Sequence, residues 1–188
     1  MALFNRTSSA VAEEVRPAAD IAGDYVLDPA HTRIGFSARH AMVTKVRGQF
    51  DEFEGAAHVD TENPAASTVA VTIQAASVAT GQAQRDGHLK SPDFFDAAKF
   101  PHATFTSTAI KAGGDNGATH TVTGNLELHG VTRAITFPAK IKIDGDGVSV
   151  DAEFAINRKD FGINYPGMAD DLIKDDVLIL LKLAAKKS

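Results

Sequence analysis

The chain has 188 residues, of which 44% are hydrophobic and 23% are charged, and its formal net charge is -5. This composition is that of a globular protein with one domain or at most two, and it excludes fibrous, low-complexity and fully disordered classes. Because the chain has no cysteine, it has no disulfides, thiolate nucleophiles, iron–sulfur clusters or Cys-ligated zinc, and its acidic balance argues against nucleic acid as a partner.

Residues 1–22 are interpreted as a leader that precedes the domain at residues 23–188. Between Met1 and Asp20 no apolar run is long enough for a secretory signal, and Glu13 and Glu14 interrupt the Ala/Val-rich part. We therefore expect a flexible leader on a cytoplasmic protein, and a short helix over residues 9–15 is the alternative. No stretch approaches the about 18 apolar residues of a membrane-spanning helix, so no transmembrane segment is predicted.

Alternation of apolar and polar residues with period two dominates the chain after residue 24 and predicts strands. The first apolar sets, in chain order, are Ile34, Phe36 and Ala38, then Val46, Gly48 and Phe50, then Val69, Val71, Ile73 and Ala75. Two glycines in the second strand, Gly48 and Gly55, indicate a bend or a bulge.

The strand pattern stops between residues 79 and 102, and this break predicts a short helical excursion between the third and fourth strands. Ser91 or a neighbour is placed to cap a helix with Pro92 in its first turn. A pair of aromatic residues, Phe94 and Phe95, follows.

Charged residues precede this excursion, and two interpretations of them compete. Arg85, with Asp86 and His88 beside it, has the planar fork that suits a phosphate head group. An Arg–Asp pair at the start of such a loop more often ties the loop to the rest of the fold, and we favour that structural role.

Residues 103–157 are predicted to form an antiparallel meander. Glycine-rich joints at residues 113–117, 129–130 and 144–147 tolerate the positive φ angles of tight hairpins. The segment 177–183 is apolar on both faces, which is typical of a strand that closes a sheet. The alternating apolar sets of the meander are Val122, Gly124, Leu126 and Leu128; Ile135, Phe137, Ala139, Ile141 and Ile143; and Val148, Val150, Ala152, Phe154 and Ile156.

Eight antiparallel strands with polar outer faces can form a two-sheet sandwich or a closed barrel, and a meander favours the barrel because closure removes exposed edges. An eight-stranded barrel is just wide enough to be filled by side chains or to hold one small ligand. The inward set mixes phenylalanines with small residues such as Ala38, Gly48 and Gly124. Both a dry packed core and a cavity for an apolar ligand therefore stay open.

Signals for catalysis and for metal are weak. The closest histidine pairs are nine residues apart, and the sequence has no Gly-x-Ser-x-Gly, no phosphate loop and no His-Glu-x-x-His, so no catalytic residue, metal or cofactor is predicted. The segment 158–160 is expected to form a salt-linked bend. His40 shares the parity of Ile34, Phe36 and Ala38, so it is expected to face the interior near a polar ligand head; a satisfied rim histidine is the competing interpretation.

Several segments carry a family resemblance, and they occur in order over about residues 24–183. They are Tyr25–Phe36, Arg39–His40, Gly48–Phe50, Phe53–Gly55, Ser77, Thr80, Arg85–Asp96, Phe100–Pro101, Thr123–Thr132 and Asn157–Ile163. In these segments the chain is similar to the YceI-like family of polyisoprenoid-binding proteins. Tyr25 stands where many members have tryptophan, and tyrosine can fill an apolar site while keeping a polar tip.

This resemblance implies an all-β fold, an extended lipocalin-like antiparallel eight-stranded β-barrel. It also implies a long isoprenoid lipid in the barrel tunnel, of the prenyl pyrophosphate or isoprenoid quinone class, which is carried, stored or sequestered without catalysis. The head is expected near His40 and Arg85. The tail is expected among Ile34, Phe36, Ala38, Phe50, Phe94, Phe95, Phe105, Leu126, Leu128, Phe137 and Phe154.

Two other functional classes stay open. An enzyme on the same barrel would use His40 or His88 with a carboxylate as acid and base. A stress or interaction protein with a packed core would act through its surface or as a dimer. A homodimer and transient contact with a membrane are open for the lipid-binding interpretation as well.

Overall fold

The computed structural model describes residues 21–40, 44–168 and 171–188. The predicted leader at residues 1–22 and its alternative helix at residues 9–15 lie outside the described residues, except for residues 21 and 22. The first strand begins at Gly23.

Most of the described residues lie in twelve β-strands. One α-helix, α1 (Ala83–Lys90), stands among them between β6 and β7. In chain order the strands are β1 (Gly23–Leu27), β2 (Arg33–His40), β3 (Lys45–Phe50), β4 (Phe53–Val59), β5 (Thr68–Gln74), β6 (Val78–Ala79), β7 (His102–Ala112), β8 (His120–Leu128), β9 (Val131–Asp144), β10 (Gly147–Asn157), β11 (Gly167–Met168) and β12 (Asp171–Lys187).

Antiparallel pairing closes these strands into a barrel. The order runs β1, β4, β5, β7, β8, β9, β10, β12 and back to β1. β2, β3 and β6 continue β1, β4 and β5 beyond short interruptions, so each of these pairs acts as one bent strand. Three bent strands and five continuous ones make the predicted eight-stranded closed barrel.

The last strand, β12, closes the barrel. One edge of β12 pairs with β10 from Asp176 to Lys186. Its other edge pairs with β2 and then with β1. The inner face of the segment 177–183 points into the barrel, with Val177, Ile179, Leu181 and Leu183, whereas Leu178 and Leu180 lie half-buried on the opposite face.

The helix lies in the predicted interval, but the prediction that Ser91 begins it is wrong. Ser91 ends the helix, with its backbone N–H donating to the carbonyl of His88 at 3.1 Å. Pro92 is the physical reason, because a residue before proline is pushed into the extended region, and Ser91 has ψ of 169°. Phe94 and Phe95 therefore lie in turns that follow α1.

Two glycines that were predicted to leave space inside the barrel are covered by aromatic rings. The ring of Phe36 lies over Gly48, and the ring of Phe105 lies over Gly124. A Cβ at either glycine would collide with the ring, so glycine is required there by close approach. The room that these positions leave is taken up by their neighbours.

Candidate functional site

A cavity of about 620 Å³ occupies the interior of the barrel. Every strand of the closed barrel except β1 contributes lining residues, together with β2 and β3, because the pleat sends alternate side chains inward. The volume lies within the range of roughly 300–1,000 Å³ that is usual for ligand pockets. The inward residues therefore do not fill the barrel, which decides between the two outcomes that composition leaves open.

The lining is almost wholly apolar. β9 and β10 show the pattern, since Ile135, Phe137 and Ile141 face the cavity opposite Val150 and Phe154. An apolar wall of this kind offers no hydrogen bonds to a ligand and binds by excluding water. The polar residues that touch the cavity are His58, Asp60, Thr61, Ser67, Thr68, His120 and Arg158.

Aromatic side chains close the end of the barrel beside α1. The ring centroid of Phe95 lies 5.4 Å from that of Phe50 and 6.5 Å from that of Phe36. Leu89 and Phe94 also line the cavity here. Edge-to-face packing of these rings makes a water-excluding cap, which we call the helical end.

Among the residues that the structure describes, Arg158 is the one charged residue that lines the cavity at the helical end, and its relative exposure is 5%. Its guanidinium donates to the carbonyls of Lys174, Ile163, Tyr165 and Ile173 and to the carboxylate of Asp175. These bonds fasten the loop before β12 across the end of the barrel. The predicted salt-linked bend at residues 158–160 forms its ion pairs with Asp175.

The opposite end of the cavity, lined by six of the polar residues at positions 58–68 and 120, is called the polar end. His58 and Thr68 are exposed there. The Nδ1 of His58 lies 2.7 Å from the Asp24 carboxylate, while the Asp60 carboxylate accepts hydrogen bonds from two backbone N–H groups of its own loop. A ligand head at this end would meet water and hydrogen-bonding groups.

Most of the residues predicted to contact a ligand surround this cavity. His40 and Arg85 do not line it. The cavity therefore lends no support to a head group beside these two residues. The eleven that line it are Ile34, Phe36, Ala38, Phe50, Phe94, Phe95, Phe105, Leu126, Leu128, Phe137 and Phe154.

His40 and Arg85 have different local settings. His40 is the last residue of β2, where it is half-buried and pairs with Ile173, beside an irregularity in the β12 register between Ile173 and Val177. The guanidinium of Arg85 donates to Oγ1 and to the carbonyl of Thr80 at 2.7 and 3.0 Å, which is the tying role that the sequence favoured.

The sequence reasoning missed the polar end. His120 shares the parity of Val122, so alternation alone could have placed it in the cavity. The loop at residues 60–67 carries no strand periodicity, and only the closed fold brings it over the opening. In the part of the chain that is described, no group of three or more acidic or histidine side chains is placed to hold a metal ion. No described helix is long and apolar enough to cross a membrane.

Comparisons with known proteins agree with this architecture. The family model described as YceI-like domain matches residues 25–185. Protein YceI of Escherichia coli O17:K52:H18 is 41% identical over 151 residues, which cover 76% of this chain and 78% of that protein. Protein YceI of Salmonella newport is 40% identical over a stretch of the same length and coverage.

Solved structures give the same result at the level of the fold. Burkholderia cenocepacia BcnA aligns with a TM-score of 0.75 and 26% identity over 85% of this chain and 99% of that one. A structure described as a polyisoprenoid binding domain from Saccharophagus degradans, implicated in plant cell wall breakdown, aligns with a TM-score of 0.70 and 20% identity over 87% and 98%. Both alignments span nearly the whole neighbouring chain.

Proposed function

The chain belongs to the YceI-like family, and from this premise we propose that it binds a long isoprenoid lipid in the barrel cavity and carries, stores or sequesters it. The observation that carries this proposal is the apolar cavity of about 620 Å³. Each buried CH2 contributes about 0.8 kcal/mol, so a few isoprene units suffice for useful affinity. The Saccharophagus degradans neighbour is described as a polyisoprenoid binding domain, and this supports isoprenoid as the ligand class.

The two ends of the cavity differ in a way that favours one orientation of the lipid. Phe36, Phe50 and Phe95 make the helical end apolar, which suits the end of a tail. His58 and His120 lie at the polar end, which suits an oxygen-bearing head. We therefore place the head at the polar end, and no longer near His40 and Arg85.

Binding without catalysis fits the placement of the histidines better than the enzyme alternative. That alternative needs His40 or His88 at the ligand, and neither lines the cavity. The Nε2 of His88 lies 2.8 Å from the Asp93 carboxylate, and its ring packs on Phe94 and Tyr165. The His88–Asp93 pair is exposed to solvent and lies outside the cavity, next to the helical end. The stress-protein alternative needs a packed core, and the open cavity argues against it.

The test is mass spectrometry of an organic extract from protein purified without detergent, combined with native mass spectrometry of the same sample. We expect one isoprenoid per chain, and its mass identifies tail and head together. The proposal would be contradicted if the protein carried no lipid and if its melting temperature did not change when prenyl phosphates, polyprenols or quinones were added.

A further inference from the structure

The wall of the barrel has a seam between β9 and β10, two strands that the structure describes in full. Pairing between them begins with Asp144 opposite Gly147 and ends with Lys140 opposite Asp151. β9 stays paired with β8 down to Val131, and β10 stays paired with β12 up to Asn157. Each strand is thus hydrogen-bonded along the edge that points away from the seam. At the seam itself, residues 134–139 of β9 and residues 152–157 of β10 face one another without backbone pairing.

Proline accounts for the place where the ladder ends. Pro138 lies two residues beyond the last pair and has no N–H to donate, so it weakens pairing at this point of β9. The far end of the seam is fastened again, because Nε of Arg133 donates to the carbonyl of Asp160 at 3.1 Å. The unpaired stretch is therefore a bounded window, about 20 Å long from the rise of a strand.

Two aromatic rings close the inner side of this window. If the register continued past Lys140–Asp151, Phe137 would lie opposite Phe154. Their rings stack across the seam with centroids 4.2 Å apart and planes inclined by 10°. Ile135 and Ile156 occupy the next such position, and all four side chains line the cavity. The wall here is held by side-chain contacts alone.

A groove lies on the outside of the barrel, at the end of the window next to the Lys140 and Asp151 pair. Its volume is about 310 Å³, and Ala139 and Ala152 line it from the two sides of the seam. Leu181 lines both this groove and the large cavity. The barrier between the two spaces is therefore about one side chain thick at this place.

We propose that the window is a lateral passage through which an isoprenoid chain enters and leaves the cavity, with the Phe137–Phe154 stack as its gate. Opening it breaks apolar contacts but no ladder hydrogen bond between β9 and β10, so it should cost less than separating these two strands where they are paired. A long chain can enter sideways without being threaded past the carboxylates at the polar end. This inference rests on the proposed function, since it concerns how the lipid reaches its site.

The absence of native cysteine makes a cross-linking test clean. Thr136→Cys with Ala155→Cys places two thiols on the outer face across the window, where both residues are exposed. Lys142→Cys with Ser149→Cys is the matched control, because these residues are partners in the paired part of the same two strands. Both pairs are joined with a short bis-thiol reagent, and the cross-link is verified by mass.

The readout is the rate at which a fluorescent geranylgeraniol analogue exchanges with unlabelled geranylgeraniol. Locking the window is expected to slow exchange by at least about tenfold, equivalent to a barrier higher by about 1.4 kcal/mol, while the control lock leaves the rate unchanged. Equal rates in the two locked proteins would overturn the lateral passage. No binding to the unlocked protein would instead contradict the proposed function itself.

A second variant keeps the test decisive if the window pair fails to fold or to cross-link. Phe154→Ala removes the gate and is expected to speed release of the probe. Phe50→Ala is its control, because it also removes a ring from the cavity wall but does so at the helical end, where its ring packs on Phe36 and Phe95. Release that is no faster in Phe154→Ala than in Phe50→Ala would overturn the role of the stack.

Discussion

The carboxylate of Asp28 lies 2.6 Å from the ammonium of Lys186, and this ion pair joins the connection between β1 and β2 to the end of β12. Asp28 also accepts from the backbone N–H of Ala30 and contacts Nδ1 of His31 at 2.9 Å. The Lys186 hydrogen bond, followed by that of His31, lowers the pKa of Asp28 to about 2. The same bond raises the pKa of Lys186. One carboxylate thus ties together the first and last strands of the closed barrel.

A pH dependence of stability follows from this pair. Because the folded pKa of Asp28 is depressed, its contribution is present above its ordinary pKa of 3.8 and is lost as the pH falls towards about 2. Asp28→Asn should therefore lower the melting temperature near neutral pH, and the difference from the unaltered protein should shrink in acid. Melting curves recorded across this range check it. A difference that stays constant into acid would show that the charge of Asp28 is not the cause.

The buried Arg158 should matter far more than its exposed neighbour. Arg158→Met removes donors from four carbonyls and from Asp175, and each buried group left without a partner costs about 1–3 kcal/mol, so we expect a loss above about 3 kcal/mol. Lys159→Met is the control. Its ammonium contacts the same Asp175 at 3.0 Å but is half exposed, so its loss should stay below about 1 kcal/mol. Urea unfolding measures both, and equal losses would contradict the assigned role of Arg158.

Alternation within strands is local information, and for that reason the sequence predicts the inner surface of the barrel well. A strand that shows polar residues on one face must bury the other, whichever neighbours it pairs with. Phe105, Leu126, Phe137 and Phe154 were placed in the interior on this basis, and each lines the cavity. Their contact with a ligand is still a prediction.

Features that depend on distant parts of the chain could not be predicted in this way. The cavity reaches Ala38 but not His40, and how far it extends along β2 is decided by strands that are distant in the chain. The seam depends on where the β9–β10 ladder ends; Pro138 is visible in the sequence of β9, but only the fold shows that pairing is lost towards β10 and kept towards β8. Ser91 is a different case, because Pro92 is visible in the sequence. A proline can stand in the first turn of a helix or directly after its end, and here it follows the end of α1.

Two glycine-to-alanine substitutions should have opposite effects on stability. A Cβ at Gly124 would collide with the Phe105 ring and with the carbonyl of Thr106, so Gly124→Ala should destabilise by about 1–3 kcal/mol through overpacking. Gly87 lies inside α1 with open space around it. Gly87→Ala should stabilise by about 0.5–1 kcal/mol, because glycine is costly within a helix. Chemical denaturation of the two variants checks both signs, and a stable Gly124→Ala protein would mean that the Phe105 ring moves aside at little cost.

The cavity itself can be tested by filling it without introducing a charge. Ala57 lines the cavity from β4, whereas its neighbour Ala56 is exposed on the outer face of the same strand. Ala57→Phe should displace bound isoprenoid by occupying its volume and should weaken binding by at least about tenfold, or 1.4 kcal/mol. Ala56→Phe adds the same ring to the outside, so it should bind as the unaltered protein does.

Titration with geranylgeraniol measures the affinity of the Ala57→Phe and Ala56→Phe variants, and their melting temperatures show whether both fold. The comparison is sharp because the two positions are adjacent and differ only in the face of the strand that they occupy. If both variants bind equally, the isoprenoid does not lie in the barrel beside β4. If only Ala56→Phe loses binding, the lipid lies on the outer face of the wall, and the cavity is not its site.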